Sequence, residues 1–182
     1  MPKSESFFKS YFNGINAATM AVAPSTLEQI AALARETSAA SKKIILAGNG
    51  ASAAMASHVA VDFTKAARVR AVNFNEADLL TCLANDYGYE QWVVQALEFY
   101  ADPGDLAILI SSSGKSSNIV NGARKAKAMG LKVVTLSGFD SENPLRQTGH
   151  INLWANSRAY NIVEMTHHIW LLAIVDYLIA TE

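Results

Sequence analysis

KIILAGNGASAA, residues 43–54, is an apolar run that halts at Gly48-Asn49-Gly50 and passes into small residues of helical character. Residues 105–118, DLAILISSSGKSSN, follow the same plan, with Ser111-Ser112-Ser113-Gly114 as the break. Neither run alternates apolar with polar residues, so each reads as a strand buried on both faces rather than on one. A helix is expected after each break, from Ala51 to about Lys65 and from about Ser116 to Met129.

Working outward, Val69–Phe74 and Lys132–Leu136 read as further strands, and His150–Trp154 as a weaker one. Helical spacing of apolar residues predicts Ser4–Met20, Ser25–Ala39 with Ser25 as its cap, and a long apolar helix over Ile162–Ile179. Strands separated by helices give an α/β fold, here a three-layer α/β/α sandwich with a central parallel sheet behind an N-terminal helical pair. The 182 residues fit one domain, with the helical pair in 1–40 and the α/β core in 41–182.

Composition narrows the function. Apolar residues make up 51% of the chain, which favours a packed core over disorder. Lys plus Arg number 15 against 16 Asp plus Glu, so there is no broad basic field and nucleic acid is disfavoured as a partner. Cys82 is the only cysteine; it can make no intrachain disulfide, which suits a reducing cytoplasm, and its neighbours Leu80, Thr81 and Leu83 predict a packed thiol. The start, MPKSES, has no leader-like apolar run. The apolar stretch Trp170–Ile179, interrupted by Asp176, reads as a buried helix, so no membrane partner is expected.

The two strand-to-helix breaks carry the chemistry. In a parallel sheet both lie at the carboxyl edge, where ligands bind. The first amides of the helix after each break lack intrahelical partners and, with the helix dipole, suit a phosphate. Serine hydroxyls add small donors, and glycine allows close backbone approach. Neither break has the order of a Walker motif, and no full G-x-G-x-x-G occurs. Each alone is equally readable as a capped tight turn; two on one edge favour a phosphate site. Lys115 reads equally as a phosphate partner or a solvent-facing cation, and Thr64, Lys65 and Arg68 as closing groups of the first helix.

GNGASAA, ISSSGKSSN and ANDYGYEQ (Ala84–Gln91) together resemble the phosphoheptose isomerases, also called sedoheptulose 7-phosphate isomerases, a branch of the SIS (sugar isomerase) domain family. The resemblance runs from about Lys43 to Leu178. It implies the sandwich fold, assembly as a homo-oligomer with the tetramer favoured, sites at subunit boundaries, and a phosphorylated sugar as ligand. It further implies that Asn49, Gly50, Ser52, Ser111, Ser113 and Ser116 form the phosphate site and that Asp86 contacts substrate hydroxyls. Left to themselves, the same residues read as turn formers, serine caps and an Asx-type turn at Asn85-Asp86.

Aldose–ketose isomerisation moves a proton between neighbouring carbons, which needs a base near carbon and an acid near oxygen. His58 and Asp62 are four apart on the helix after the first break, hence on one face. The resemblance expects His and usually a longer Glu there. On the last helix it expects Gln or Glu, met by Glu164, and a His eight residues later, where this chain has Leu172. His168 shares the face of Glu164 and Leu172 and is expected to stand in for that histidine, one turn earlier. Asp62, Glu164 and His168 are therefore the catalytic candidates. His58, Asp62, Glu164 and His168 make a reasonable zinc set, with a packing role for His168 as the alternative. His167 is expected to be packed, and His150 carries no role. Phe74, Asn75 and Glu76 replace smaller residues of the resembled family, either reshaping the sugar pocket or serving as loop residues. The expected function is isomerisation of sedoheptulose 7-phosphate to a heptose 7-phosphate; the alternative is a non-catalytic SIS protein that binds a phosphosugar or a protein partner.

Overall fold

The computed structural model describes residues 4–181. In chain order its elements are α1 (Ser4–Met20), α2 (Pro24–Ala39), β1 (Ile44–Ala47), α3 (Ala51–Lys65), β2 (Ala71–Asn73), α4 (Ala77–Tyr87) and α5 (Trp92–Tyr100). They continue with β3 (Leu106–Ser111), α6 (Ser117–Ala128), β4 (Lys132–Gly138), α7 (Pro144–Thr148), β5 (Ile151–Ala155) and α8 (Tyr160–Ala180). The five strands are parallel, in the order β2-β1-β3-β4-β5.

Every residue of β1 and β3 is buried, as unbroken apolar runs require. Pleating sends Ile44, Leu46, Leu106 and Ile108 to a core shared with α2, α3 and α8, while α1 packs on α8. Ile45, Ala47, Ala107 and Leu109 face the other core, built with α4, α5, α6 and α7. That is the three-layer α/β/α sandwich. Burying one such Leu or Ile side chain is worth about 1.5–3 kcal/mol. The register of the central pair is set at its amino end, where buried Asp105 accepts from the backbone N–H of Lys43 (3.0 Å) and of Asp102 (2.8 Å) and pairs with the Lys43 ammonium at 2.7 Å.

Three helices are not foreseen by apolar spacing. Helix α4 buries only Leu83 along its whole length, α5 has 9 residues and α7 has 5, too little for a periodic stripe to stand out. Ser25 is not a cap: Pro24 occupies the first helical position, where a missing N–H is harmless, and Ala23 precedes it without a side-chain bond. Helix α8 is the one helix among the described residues long and apolar enough to cross a membrane, yet Trp170, Leu171, Ile174, Val175 and Leu178 are buried in the core. The leader expectation rests partly on residues 1–3, which lie outside the described residues.

His167 is fully buried on α8, and its Nε2–H donates to the Ser137 carbonyl at 2.9 Å. Desolvation pushes its pKa down to about 4, against the opposing pull of that hydrogen bond. The unfolded chain, with an ordinary histidine near 6.5, therefore binds a proton that the folded chain refuses. Stability from this group is complete above pH ~6.5 and falls by on the order of 3 kcal/mol as the pH drops towards 4. Urea denaturation at several pH values between 7.5 and 4 should show this loss, and His167→Gln should flatten the slope. An unchanged slope in the variant would assign the acid sensitivity to other groups.

Candidate functional site

Chain order reverses between β1 and β3: from β1 the chain steps outward to β2, whereas β3 leads to β4 on the other side. Such a switch point opens a crevice at the carboxyl ends of the strands. Because Ala47 pairs with Leu109, the two breaks face each other across it.

The first break depends on a close approach. A Cβ on Gly48 would lie 2.6 Å from the Ser52 Cβ and 2.7 and 2.8 Å from its carbonyl carbon and oxygen. The second is held by Asn143, fully buried, whose amide donates to the carbonyls of Gly138 (3.2 Å) and Asp140 (2.7 Å). Gly114 sits against that side chain with φ +66, and the Leu145 N–H donates to its carbonyl at 3.1 Å.

Between the breaks lies a cavity of about 150 Å³. Asn49, Ser52, Ser111, Ser113 and Ser116 line it from the two turns, and Tyr160 and Glu164 from α8. Ser116 occupies the N-cap position of α6 but makes no side-chain cap bond; its hydroxyl lies 2.9 Å from that of Ser111 instead. Gly50, the N-cap of α3, has no side chain to cap with. Two long helices thus begin without side-chain caps at one cavity, which is what an anion requires and what serine capping would have prevented.

Asn49 and Asn118 form a reciprocal amide pair, Asn49 Nδ2 donating to Asn118 Oδ1 at 3.0 Å and Asn118 Nδ2 to Asn49 Oδ1 at 2.8 Å. The Tyr89 hydroxyl donates to the same Asn49 oxygen at 3.1 Å. Neither Asn118 nor Tyr89 is a site candidate from the sequence reading, although both lie inside the motifs it singles out. Asp86, by contrast, is an exposed residue of α4. Its carboxylate accepts from Asn85 Nδ2 (2.9 Å) and from the Cys82 thiol (3.6 Å) and does not line the cavity. Helix α4 also replaces the Asx-type turn. Cys82 is exposed rather than packed, because it lies on a helix that buries only Leu83; its hydrogen bond to Asp86 raises the thiol pKa.

Glu164 accepts from the Ser112 hydroxyl at 3.4 Å, placing a carboxylate against the serine turn. The other candidates form a separate chain. His58 Nε2 lies 3.2 Å from Asp62 Oδ2, and His58 Nδ1 lies 2.9 Å from His168 Nε2. With Asp62 ionised, a neutral His58 carries its proton on Nε2. Its Nδ1 then accepts from His168 Nε2–H, leaving the lone pair of His168 Nδ1 free. Desolvation and the neighbouring His58 lower the His168 pKa, with Asp62 opposing, so the neutral ring is favoured. A catalytic zinc takes three protein ligands or more. Among the described residues no group of three or more His, Cys, Asp or Glu side chains is placed to hold an ion. Glu164 and His168 share a face of α8, and His58 and Asp62 meet that helix from α3.

The remaining expectations resolve simply. Lys115 faces Asp140 at 3.7 Å. Thr64 exchanges hydrogen bonds with the backbone of Ala71, tying α3 to β2. His150 Nδ1 accepts from the Val133 N–H at 3.0 Å, a structural role. Phe74 is buried in the core and Asn75 pins α3 through Ala53 and Ser57, each at 2.8 Å. Glu76 borders a larger cavity of about 670 Å³ beside β2, with Phe74, Tyr100 and Lys43. That cavity lies away from both breaks, and Asp102 and Asp105 already hold its lysine.

The family model for the SIS domain matches residues 9–138. The chain is 35% identical over 147 residues to a phosphoheptose isomerase of Akkermansia muciniphila, a match spanning 78% of this chain and 77% of that protein. The solved structure of phosphoheptose isomerase GmhA from Neisseria gonorrhoeae superposes with a TM-score of 0.89 at 23% identity, covering 98% of this chain and 100% of that one. A phosphoheptose isomerase from Francisella tularensis gives 0.88 at 22% identity, covering 99% and 100%. At those identities the two structures speak for the fold.

Gly48→Ala should displace the first turn of α3 and cost roughly 1–3 kcal/mol of stability, as overpacking does. Affinity for inorganic phosphate should fall with it. Urea denaturation and calorimetric titration measure the two, and an alanine variant as stable as the parent would refute the close-approach role.

Proposed function

The chain belongs to the SIS domain family and, within it, to the phosphoheptose isomerases, and from that premise we propose that it converts sedoheptulose 7-phosphate to a heptose 7-phosphate in the cytoplasm. The observation that carries the reading is the pair of uncapped helix starts facing one serine-lined cavity with a carboxylate on its rim. A cavity of about 150 Å³ suits the phosphate end of a sugar rather than the whole molecule. Asn49, Gly50, Ser52, Ser111, Ser113 and Ser116 grip that end, and Asp86 contacts hydroxyls of the chain beyond it. Holding the phosphate fixes the distance from the grip to the reacting carbons, so binding energy is spent on orientation.

Glu164 is the base. It takes the C1 proton of the ketose, giving an enediolate with its charge on the oxygen of C2, and the same proton returned at C2 completes the transfer. His168 accepts the hydroxyl proton of the C1 oxygen on its free Nδ1 and passes it to the oxygen of C2, which leaves the aldehyde at C1 and a hydroxyl at C2. His58 and Asp62 are positioning residues: Asp62 fixes the tautomer of His58, which fixes that of His168, the logic by which a buried acid orients a catalytic histidine. Asp62, though shorter than glutamate, reaches His58 at 3.2 Å.

We read residues 1–182 as one domain, since α1 and α2 pack on α8 and the family match runs across the junction at residues 40 and 41. We also expect a homo-oligomer, with a tetramer favoured. Phe7, Phe8 and Phe12 on α1 and Met165 and Ile169 on α8 expose apolar area that a second copy would cover.

Turnover of sedoheptulose 7-phosphate, assayed after metal stripping and again with zinc, tests the proposal. Glu164→Gln should lower kcat by about 10²–10⁴, the range for a positioned base, and leave KM within a few-fold. His168→Asn should lower kcat by a smaller factor and change the pH–rate profile. Unimpaired turnover in Glu164→Gln would overturn the base assignment. Turnover that appears only with zinc would overturn the metal-free mechanism. Phosphosugar binding without turnover in either state would make the chain a binding protein.

A further inference from the structure

Asn49 bears one side chain that must present donors to an anion, yet an amide can turn either its nitrogen or its oxygen towards the cavity. If the oxygen faced a phosphate, the contact would be repulsive. Three groups bind the amide in one orientation. Asn118 Nδ2 and the Tyr89 hydroxyl both donate to Asn49 Oδ1, at 2.8 and 3.1 Å, filling its two lone pairs. Asn118 Oδ1 accepts one of the two Nδ2 hydrogens at 3.0 Å. One N–H is left over, on a residue that lines the cavity.

Both partners are themselves held. Asn118 is buried on the first turn of α6. One turn further along the same helix, Asn121 donates to the Glu90 carbonyl at 3.2 Å, anchoring the α4–α5 turn that carries Tyr89. Gly88 bends the chain there with φ +89, and a Cβ on it would lie 2.9 Å from the Glu90 carboxylate. The tyrosine ring is otherwise exposed, so packing alone does not account for where its hydroxyl points.

We propose that Tyr89 and Asn118 are positioning residues that lock the Asn49 amide with its N–H towards the phosphate and so tune the affinity of the cavity for phosphorylated ligands. The inference rests on the reading of that cavity as the phosphate site. It gives the ANDYGYEQ segment a role at the phosphate end through Tyr89, separate from that of Asp86.

A double-mutant cycle with inorganic phosphate as the titrant tests it. Tyr89→Phe should weaken phosphate binding roughly three- to tenfold, the effect of one hydrogen bond, at unchanged melting temperature. In an Asn49→Ala background the same change should have no effect, because the hydroxyl acts only through Asn49. Asn118→Leu should behave likewise if it folds, and Tyr89→Phe decides the matter if it does not. With sedoheptulose 7-phosphate the loss should fall in KM rather than kcat. Equal weakening with and without Asn49, or none in Tyr89→Phe, overturns this inference and leaves the phosphate site standing. Absence of phosphate binding in the unaltered protein overturns both.

Discussion

The pairing of β1 with β3 is the constraint from which the site follows. Neither strand is next to the other in sequence, and β2 with three helices intervenes. Once they are hydrogen-bonded in register, from Ile44 against Leu106 to Ala47 against Leu109, the turns that leave them must meet. The amino end of the pair is closed by the buried Asp105 carboxylate, with two backbone N–H donors and the Lys43 ammonium around it. Burying an unpaired charge costs several kcal/mol, and here every neighbour that offsets it belongs to the segments entering β1 and β3. A slip in register would break that set. At the opposite end the Asn49–Asn118 amide pair bridges the same two segments. The strand pair is thus fastened at both ends, by charge where the chain enters and by amides at the carboxyl edge.

The cradle is built from what the helices forgo. A serine, threonine or aspartate cap typically stabilises a helix by about 1 kcal/mol. Helix α3 begins at a glycine, and α6 begins at a serine whose hydroxyl is turned to Ser111. Each surrenders that contribution at the edge of the cavity. Helix α7, which has no such duty, keeps its cap: Asn143 Oδ1 accepts from the Arg146 N–H at 2.8 Å.

Sequence reading succeeds where one residue type has one physical use. The unbroken apolar runs of β1 and β3 admit only burial on both faces, and glycine at 48 and 114 admits close approach, so the sheet and both turns are legible. It fails where a residue's partner lies far along the chain. Asn118 looks like any helix-start asparagine until Asn49, 69 residues earlier, is found opposite it. Tyr89 looks like an exposed aromatic until its hydroxyl is traced to the same amide. Asp86 shows the converse: a motif names it, yet its position on α4 turns its carboxylate to Asn85 and Cys82 in the isolated chain. The short helices escaped for a local reason, since α4 buries one residue and leaves no stripe.

Helix depth explains why the histidine at 168 and not a residue at 172 meets His58. Helices α3 and α8 both begin at the carboxyl edge of the sheet, at Ala51 and Tyr160. With a rise of about 1.5 Å per residue, His58 and His168 lie roughly 11 Å down their respective helices. Equal depth on neighbouring helices lets the rings come within 2.9 Å. Position 172 is another turn deeper, roughly 6 Å further from the edge, and there Leu172 packs against the core. Moving the imidazole one turn towards the edge brings it closer to the serine turns and frees the deeper position for packing. Glu164 lies one turn nearer still, in contact with Ser112. The face of α8 therefore grades from carboxylate through imidazole to leucine over two turns, from Glu164 to Leu172.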